Sequence, residues 1–139
     1  MLALSKPFKI LFEGNTITCV FHAKTQVLEV SFYGYTQSKE LKASFTMLLN
    51  EYGKSFTVKN WFFDLKYMHA QPDDLDWLLK DWHKAAIKKV KAPFKVAYIP
   101  AVNFVANHQI GLYLQEQKSK CKSFMTLEVS EFEEAEKWF

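Results

Sequence analysis

The residues of this chain that could do chemistry cluster after a strongly apolar stretch, Trp61-Phe62-Phe63-Asp64. Asp64 ends that stretch, and Tyr67 and His69 follow within five residues. The stretch is typical of a strand buried on both faces, and ligands of open α/β sheets bind at the carboxyl ends of the strands. Asn103 follows a second strand-like stretch in the same way. The candidate ligand-binding residues are therefore Asp64, Tyr67, His69 and Asn103.

Catalysis is a weaker interpretation of the same residues. Asp64 and His69 would be its acid and base, but no serine or cysteine lies near them to form a nucleophile–base pair. An aspartate at a strand end more commonly accepts hydrogen bonds from backbone amides of the following turn. The four glycines form no phosphate-binding loop, and the four histidines lack metal-binding spacing. We assign no catalytic residue, metal or cofactor, and enzyme activity stays open but disfavoured.

A second group of candidate residues lies at the start of the next predicted helix. Pro72 suits a first helical turn, and Asp73 and Asp74 complement the positive end of the helix dipole. On a wheel of 3.6 residues per turn, Trp77 falls opposite the apolar stripe and among charged residues. Such a tryptophan can anchor an interface, or a neighbouring loop or terminal segment can cover it. Asp73, Asp74 and Trp77 are therefore candidates for an interaction surface.

The elements that position these residues are those of an α/β fold. Three short strands open the chain, with a turn at Gly14-Asn15, and predict an antiparallel meander. Strands and helices then alternate, so the predicted order is β-β-β-α-β-α-β-α-β-α. In this order residues 65–71 form a loop, and a helix covers part of residues 103–118. The alternation predicts a mixed, mainly parallel sheet with helices on both faces.

Composition limits the classes of function. A chain of 139 residues with 17% aromatic content predicts one domain, residues 1–139, with a sizeable core. All 18 basic residues are lysine, which disfavours nucleic-acid binding because arginine is the usual residue for phosphate and guanine contacts. Cys19 and Cys121 lack metal or redox spacing and are expected to be free thiols. The sequence shows neither a cleavable signal nor a membrane-spanning run, so we expect a cytoplasmic protein.

The chain resembles the SpoIIAA-like group of STAS domains, which are relatives of the anti-sigma-factor antagonists. The likeness is an order of elements that spans most of the chain. It is carried by three segments, namely Trp61–Asp64 with Pro72–Asp74 and Trp77–Trp82, then Lys95–Pro100, and then Phe124 with Glu133–Phe139. The resemblance implies a bacterial protein with four successive βα units and, in the best-known branch, protein–protein signalling.

One departure from the family bears on mechanism. In the sigma-regulating relatives a serine or threonine at the start of the helix after the central strand is phosphorylated. This chain has no serine or threonine between Thr57 and Ser119, so that switch is absent at that place. Asp73 and Asp74 could act as a permanent mimic of phosphate, or simply as acids that complement the helix dipole.

Two functions are therefore expected from the sequence. The leading one is a non-enzymatic STAS-like interaction or regulatory module. Its partner is either another protein or a second copy of the chain, which would form a homodimer. The alternative is a domain that binds an apolar or anionic small molecule at the carboxyl ends of the central strands.

Overall fold

Six strands form one mixed sheet in the computed structural model, which describes residues 8–52, 60–85, 94–120 and 124–139. The strands lie across the sheet in chain order: β1 Phe8–Glu13, β2 Ile17–His22, β3 Val27–Tyr35, β4 Asn60–His69, β5 Phe94–Ile99 and β6 Phe124–Glu128. Strands β1 to β3 pair antiparallel, and β3 to β6 pair parallel. The predicted α/β fold with an antiparallel N-terminal meander and a mainly parallel sheet is confirmed.

In the part of the chain that the structure describes, four helices connect or follow the parallel strands. They are α1 Ser38–Tyr52, α2 Pro72–Asp76, α3 Phe104–Lys120 and α4 Phe132–Trp138. Helix α2 continues as a π-helical stretch over Trp77–Trp82, and the amide of His83 donates to the carbonyl of Leu78, five residues earlier. Helix α3 fills nearly all of residues 103–118, where a helix was predicted, and continues two residues further.

The antiparallel meander is tied to α1 at its first turn. The amide of Gly14 donates to the carbonyl of Ile17 at 2.7 Å and closes the turn between β1 and β2. Glu40 of α1 reaches this turn, and its Oε1 accepts hydrogen bonds from the amide and hydroxyl of Thr16 at 3.2 and 3.0 Å. The hairpin is therefore fixed to the end of the sheet at which the parallel strands finish.

The main core lies between one face of the sheet and helices α1 to α3. Alternate strand residues point to this face because side chains alternate along a strand. Its largest contacts are aromatic: Trp82 meets Phe45 edge-on at 4.9 Å and Trp61 at 5.4 Å between ring centroids. The Trp82 indole also donates to the backbone carbonyl of Phe45 at 2.7 Å. One residue therefore joins the π-helical stretch to α1 and to β4.

A smaller core lies on the opposite face, where α4 packs. The neighbouring strand residues that point this way are buried with Val129 and Ala135; they are Val27, Phe62 and Ala97. Phe132 of α4 contacts the Phe62 ring edge-on at 4.9 Å. Among the described residues, helices cover both faces as expected, three on one face and a short one on the other.

The length of β4 differs from the sequence prediction. Residues 65–69 were predicted as part of a loop, but β4 continues to His69 and stays paired with β3, with Tyr33 opposite Tyr67 and Tyr35 opposite His69. The last residue of β4 that pairs with β5 is Asp64. The ends of β3 and β4 therefore project beyond β5 as a two-stranded extension.

Candidate functional site

The two-stranded extension carries an exposed aromatic surface. Tyr33, Tyr35 and Tyr67 are between 46% and 57% exposed, and His69 is also exposed. The register places Tyr33 beside Tyr67 and Tyr35 beside His69. We call these four residues the strand-end surface. It includes two of the residues that the sequence singled out, Tyr67 and His69.

Contacts within the strand-end surface hold its rings in place. The rings of Tyr35 and His69 meet edge-on, with centroids 5.4 Å apart. The Gln71 side-chain amide donates to the Tyr35 hydroxyl at 3.3 Å. The ammonium of Lys66 lies 5.3 Å from the centroid of Tyr67, a cation–π arrangement. The surface is therefore aromatic, weakly basic and mounted on paired backbone.

Asp64 and Asn103 have local structural partners. Oδ1 of Asp64 accepts from the amide of Lys66 at 3.2 Å, so the expected hydrogen bond to a backbone amide is present, but Lys66 lies within β4 and not in a turn. Oδ1 of Asn103 accepts from the amide of Ala106 at 2.9 Å and so caps the first turn of α3. Asp64 and His69 are five residues apart along β4, on the order of 15 Å. They are too far apart to form an acid–base pair.

Asp73 and Asp74 differ sharply in exposure. Asp73 is exposed, whereas Asp74 is buried and its Oδ1 accepts from the Ser38 hydroxyl at 2.7 Å. The other carboxylate oxygen, Oδ2, has no hydrogen-bond partner among the described residues. Asp74 therefore joins the starts of α1 and α2, and only Asp73 presents its charge at the surface.

Trp77 is half-buried and packs against the main core. The ammonium of Lys42, on α1, lies 5.9 Å from the centroid of the indole ring. The wheel placed this side chain opposite the apolar stripe because it assumed 3.6 residues per turn. A wheel gives the direction of a side chain but not what packs over it, and here α1 lies beside the indole.

An apolar cavity of about 70 Å³ lies between β4, β5, the π-helical stretch and α3. None of Asp64, Tyr67, His69 and Asn103 lines it. Its walls include Phe63, Met68, Leu78, Val96, Tyr98 and Ile110. The cavity is thus a feature of the main core, separate from the strand-end surface.

A buried histidine–tyrosine pair borders this cavity. Nδ1 of His83 is hydrogen-bonded to the hydroxyl of Tyr113, and the rings meet at 5.3 Å and 68°. Burial lowers the pKa of His83 to about 4, and burial followed by the charge of Glu116 raises the pKa of Tyr113 above its ordinary value. Both groups are therefore neutral at pH 7. The position of His83, four residues after Leu79 of the predicted apolar stripe, was the signal in the sequence for its burial.

The thiol of Cys19 is free and buried in the main core, as expected, and burial raises its pKa. Cys121 lies outside the described residues. Within the four described stretches, no group of three His, Cys, Asp or Glu side chains is placed to hold a metal ion. No helix in the described part of the chain is long and apolar enough to cross a membrane.

Comparison with family models, with curated proteins and with solved structures gave no match to this chain.

Proposed function

We propose that this chain is a non-enzymatic, STAS-like interaction or regulatory module that binds a partner protein through the strand-end surface. The observation that carries the proposal is the side-by-side exposure of Tyr33, Tyr35 and Tyr67 on paired strands. Tyrosine is enriched in protein interfaces because its ring buries a large area while its hydroxyl keeps a hydrogen bond. Four consecutive βα units, from β3 to α4, support the STAS-like part of the proposal.

The strand-end surface is also preorganised for binding. Strand pairing fixes its backbone, and the Tyr35–His69 contact restricts two of its rings. Binding to an already ordered surface costs less side-chain entropy than ordering a loop. The partner contact is constitutive in this proposal, because the helix start after β4 offers no serine or threonine for phosphorylation.

Affinity capture tests the proposal. The immobilised full chain and a Tyr33→Ala/Tyr67→Ala variant are incubated with lysate of the native source, and bound proteins are quantified by mass spectrometry. Two truncated tyrosines at an interface centre each cost on the order of 1–2 kcal/mol, so we expect a specific partner to fall about tenfold or more in the variant. Met47→Ala, which removes an exposed apolar side chain from α1, is the matched control. Equal capture by all three chains would refute the proposal.

The apolar cavity favours a second candidate function, the binding of a small apolar molecule. Its volume of about 70 Å³ is below the ~150 Å³ that accepts benzene, so we expect it to admit xenon but not benzene. Xenon-induced chemical shifts at Leu78 and Val96 would test this. A Leu78→Ala variant should gain benzene binding. A cavity that takes up neither ligand in either chain would dismiss this candidate.

A further inference from the structure

Helix α3 carries large apolar side chains on its outer face as well as on its inner face. Ala106 and Ile110 of the inner face pack into the main core. On the opposite side Phe104, Val105 and Leu112 are 83%, 59% and 55% exposed. The outer face of a solvated helix is normally polar, so large apolar side chains exposed on that face are typical of a contact surface. The outer face of α3 therefore has the composition of a contact surface.

The first half of α3 is also free of charge, whereas Glu116, Lys118 and Lys120 lie in its second half. Residues 101–114 contain no lysine, aspartate or glutamate, although 24% of the whole chain is charged and fourteen average residues would carry about three charges. Depletion of charged residues distinguishes the core of an interface from the rest of a protein surface. The lack of lysine also disfavours nucleic acid or an anionic membrane as the occupant.

Gly111 lies on the outer face in the middle of α3, and it is exposed. Glycine destabilises a helix interior relative to alanine. A methyl group added at Gly111 would meet no atom of the described chain within 4 Å, so packing inside the protein does not explain the glycine. A residue without a side chain lets a second helix approach closely at that point.

We propose that two copies of this chain associate through α3, antiparallel and about a two-fold axis at His108. The axis pairs residues at equal distances on either side of position 108. Phe104 then packs against the partner's Leu112, and Val105 fills the space over the partner's Gly111. His108 already stacks on Phe104, with ring centroids 6.4 Å apart and planes at 6°.

A second copy fits this face because the face is self-complementary. Phe104 and Val105 precede the axis, and Gly111 follows it. In an antiparallel dimer the Val105 side chain of each copy therefore lies over Gly111 of the other copy, and this contact occurs twice. Antiparallel helices also align their dipoles favourably. One helix face is smaller than the ~800 Å² per partner of a standard interface, so we expect a dissociation constant on the order of 10–100 µM. This contact is distinct from the strand-end surface and does not depend on it.

Sedimentation velocity of the full chain, from about 5 to about 500 µM, tests the proposal. We expect the wild type to pass from monomer to dimer over this range. Leu112→Glu should remain monomeric throughout, because it would bury a charge against the partner's Phe104. Met47→Glu adds the same charge to an exposed apolar residue of α1 and should dimerise normally.

Gly111→Ala separates the dimer contact from folding. We expect it to raise the dissociation constant about tenfold or more, because the methyl group meets the partner's Val105. Its melting temperature at high dilution should rise above that of the wild type, because alanine favours the helix. A weaker dimer formed by a more stable monomer cannot result from misfolding.

A cysteine cross-link tests the position of the axis. In a Cys121→Ser background, His108→Cys should form a disulfide-linked dimer under mild oxidation, whereas Lys39→Cys on α1 should not. The Tyr33→Ala/Tyr67→Ala variant should dimerise like the wild type, so a failure of the proposed partner contact leaves this test intact.

Three outcomes would overturn the proposal. One is a wild type that stays monomeric at every concentration. Another is a dimer that Leu112→Glu leaves unchanged. The third is a monomeric wild type that binds phosphatidylcholine vesicles while the Leu112→Glu variant does not, since this would assign the face to lipid.

Discussion

The buried imidazole of His83 makes the stability of the protein depend on pH below neutrality. Burial lowers its pKa from the ordinary 6.5 to about 4, so the unfolded chain binds a proton more readily than the folded one. The contribution is fully present above pH 6.5, is lost as the pH falls towards 4, and is constant below that. The total loss corresponds to about 3 kcal/mol in the free energy of unfolding.

Urea unfolding between about pH 7.5 and pH 4 measures this loss. Carboxylates also titrate in this range, so the comparison is with His83→Gln, which keeps a hydrogen-bonding group beside Tyr113 but cannot be protonated. We expect the stability advantage of the wild type over the variant to shrink as the pH falls. Parallel pH profiles for the two chains would mean that the pKa of His83 is the same in the folded and the unfolded chain, which would contradict the prediction.

At the residue scale, the sequence could predict interactions that are local along the chain. The bond from Asp64 to the amide of Lys66 spans two residues, and the tendency of aspartate to bond nearby backbone amides predicts it, although the amide lies in a strand rather than a turn. The bonds from His83 to Tyr113 and from Ser38 to Asp74 span 30 and 36 residues. These depend on how α1, α2 and α3 pack, which the order of elements leaves open.

At the scale of elements, the spacing of apolar residues predicted whether a segment is a strand or a helix, but it predicted the length of the segment less well. The period could not show that β4 continues to His69, because that extension is stabilised by pairing with β3 rather than by burial on both faces. It also could not show the π-helical stretch after Asp76, since a wheel presupposes the α-helical repeat. Both misses fall on residues near the predicted site, and the first places Tyr67 on a strand rather than in a loop.

Two glycines in different elements should respond oppositely to alanine. Gly34, in β3, has φ of +93°, and Gly111 lies in α3; neither has an atom within 4 Å of an added methyl group. Gly34→Ala should therefore destabilise the fold by about 1–2 kcal/mol through backbone strain alone. Gly111→Ala should stabilise the monomer by up to about 1 kcal/mol. Urea unfolding at high dilution measures both, and equal signs would contradict the assigned backbone conformations.

At the scale of the whole molecule, the two faces of the sheet are covered unequally. Three helices bury the main core, which includes most of the large buried side chains, whereas the seven-residue α4 covers the opposite face. The alternation of elements predicted helices on both faces, but not this division, because it depends on where each connection crosses the sheet. The exposed strand-end surface follows from it: α4 packs on Phe62, and Tyr33 and Tyr67 stay open to solvent.

The smaller helical cover on the α4 face of the sheet predicts that α4 opens before the rest of the molecule unfolds. Phe132 contacts His22 and Phe62, and Ala135 and Trp138 complete the small cover that α4 provides. Few buried contacts mean a low free energy of local opening, so amide hydrogen exchange in α4 should be faster than in α1, where exchange requires global unfolding. Phe132→Ala should accelerate exchange in α4 by a further ~10–100-fold, equal to about 1.5–3 kcal/mol of lost packing, and leave α1 nearly unchanged. Equal acceleration of both helices would show instead that the two cores unfold as one cooperative unit.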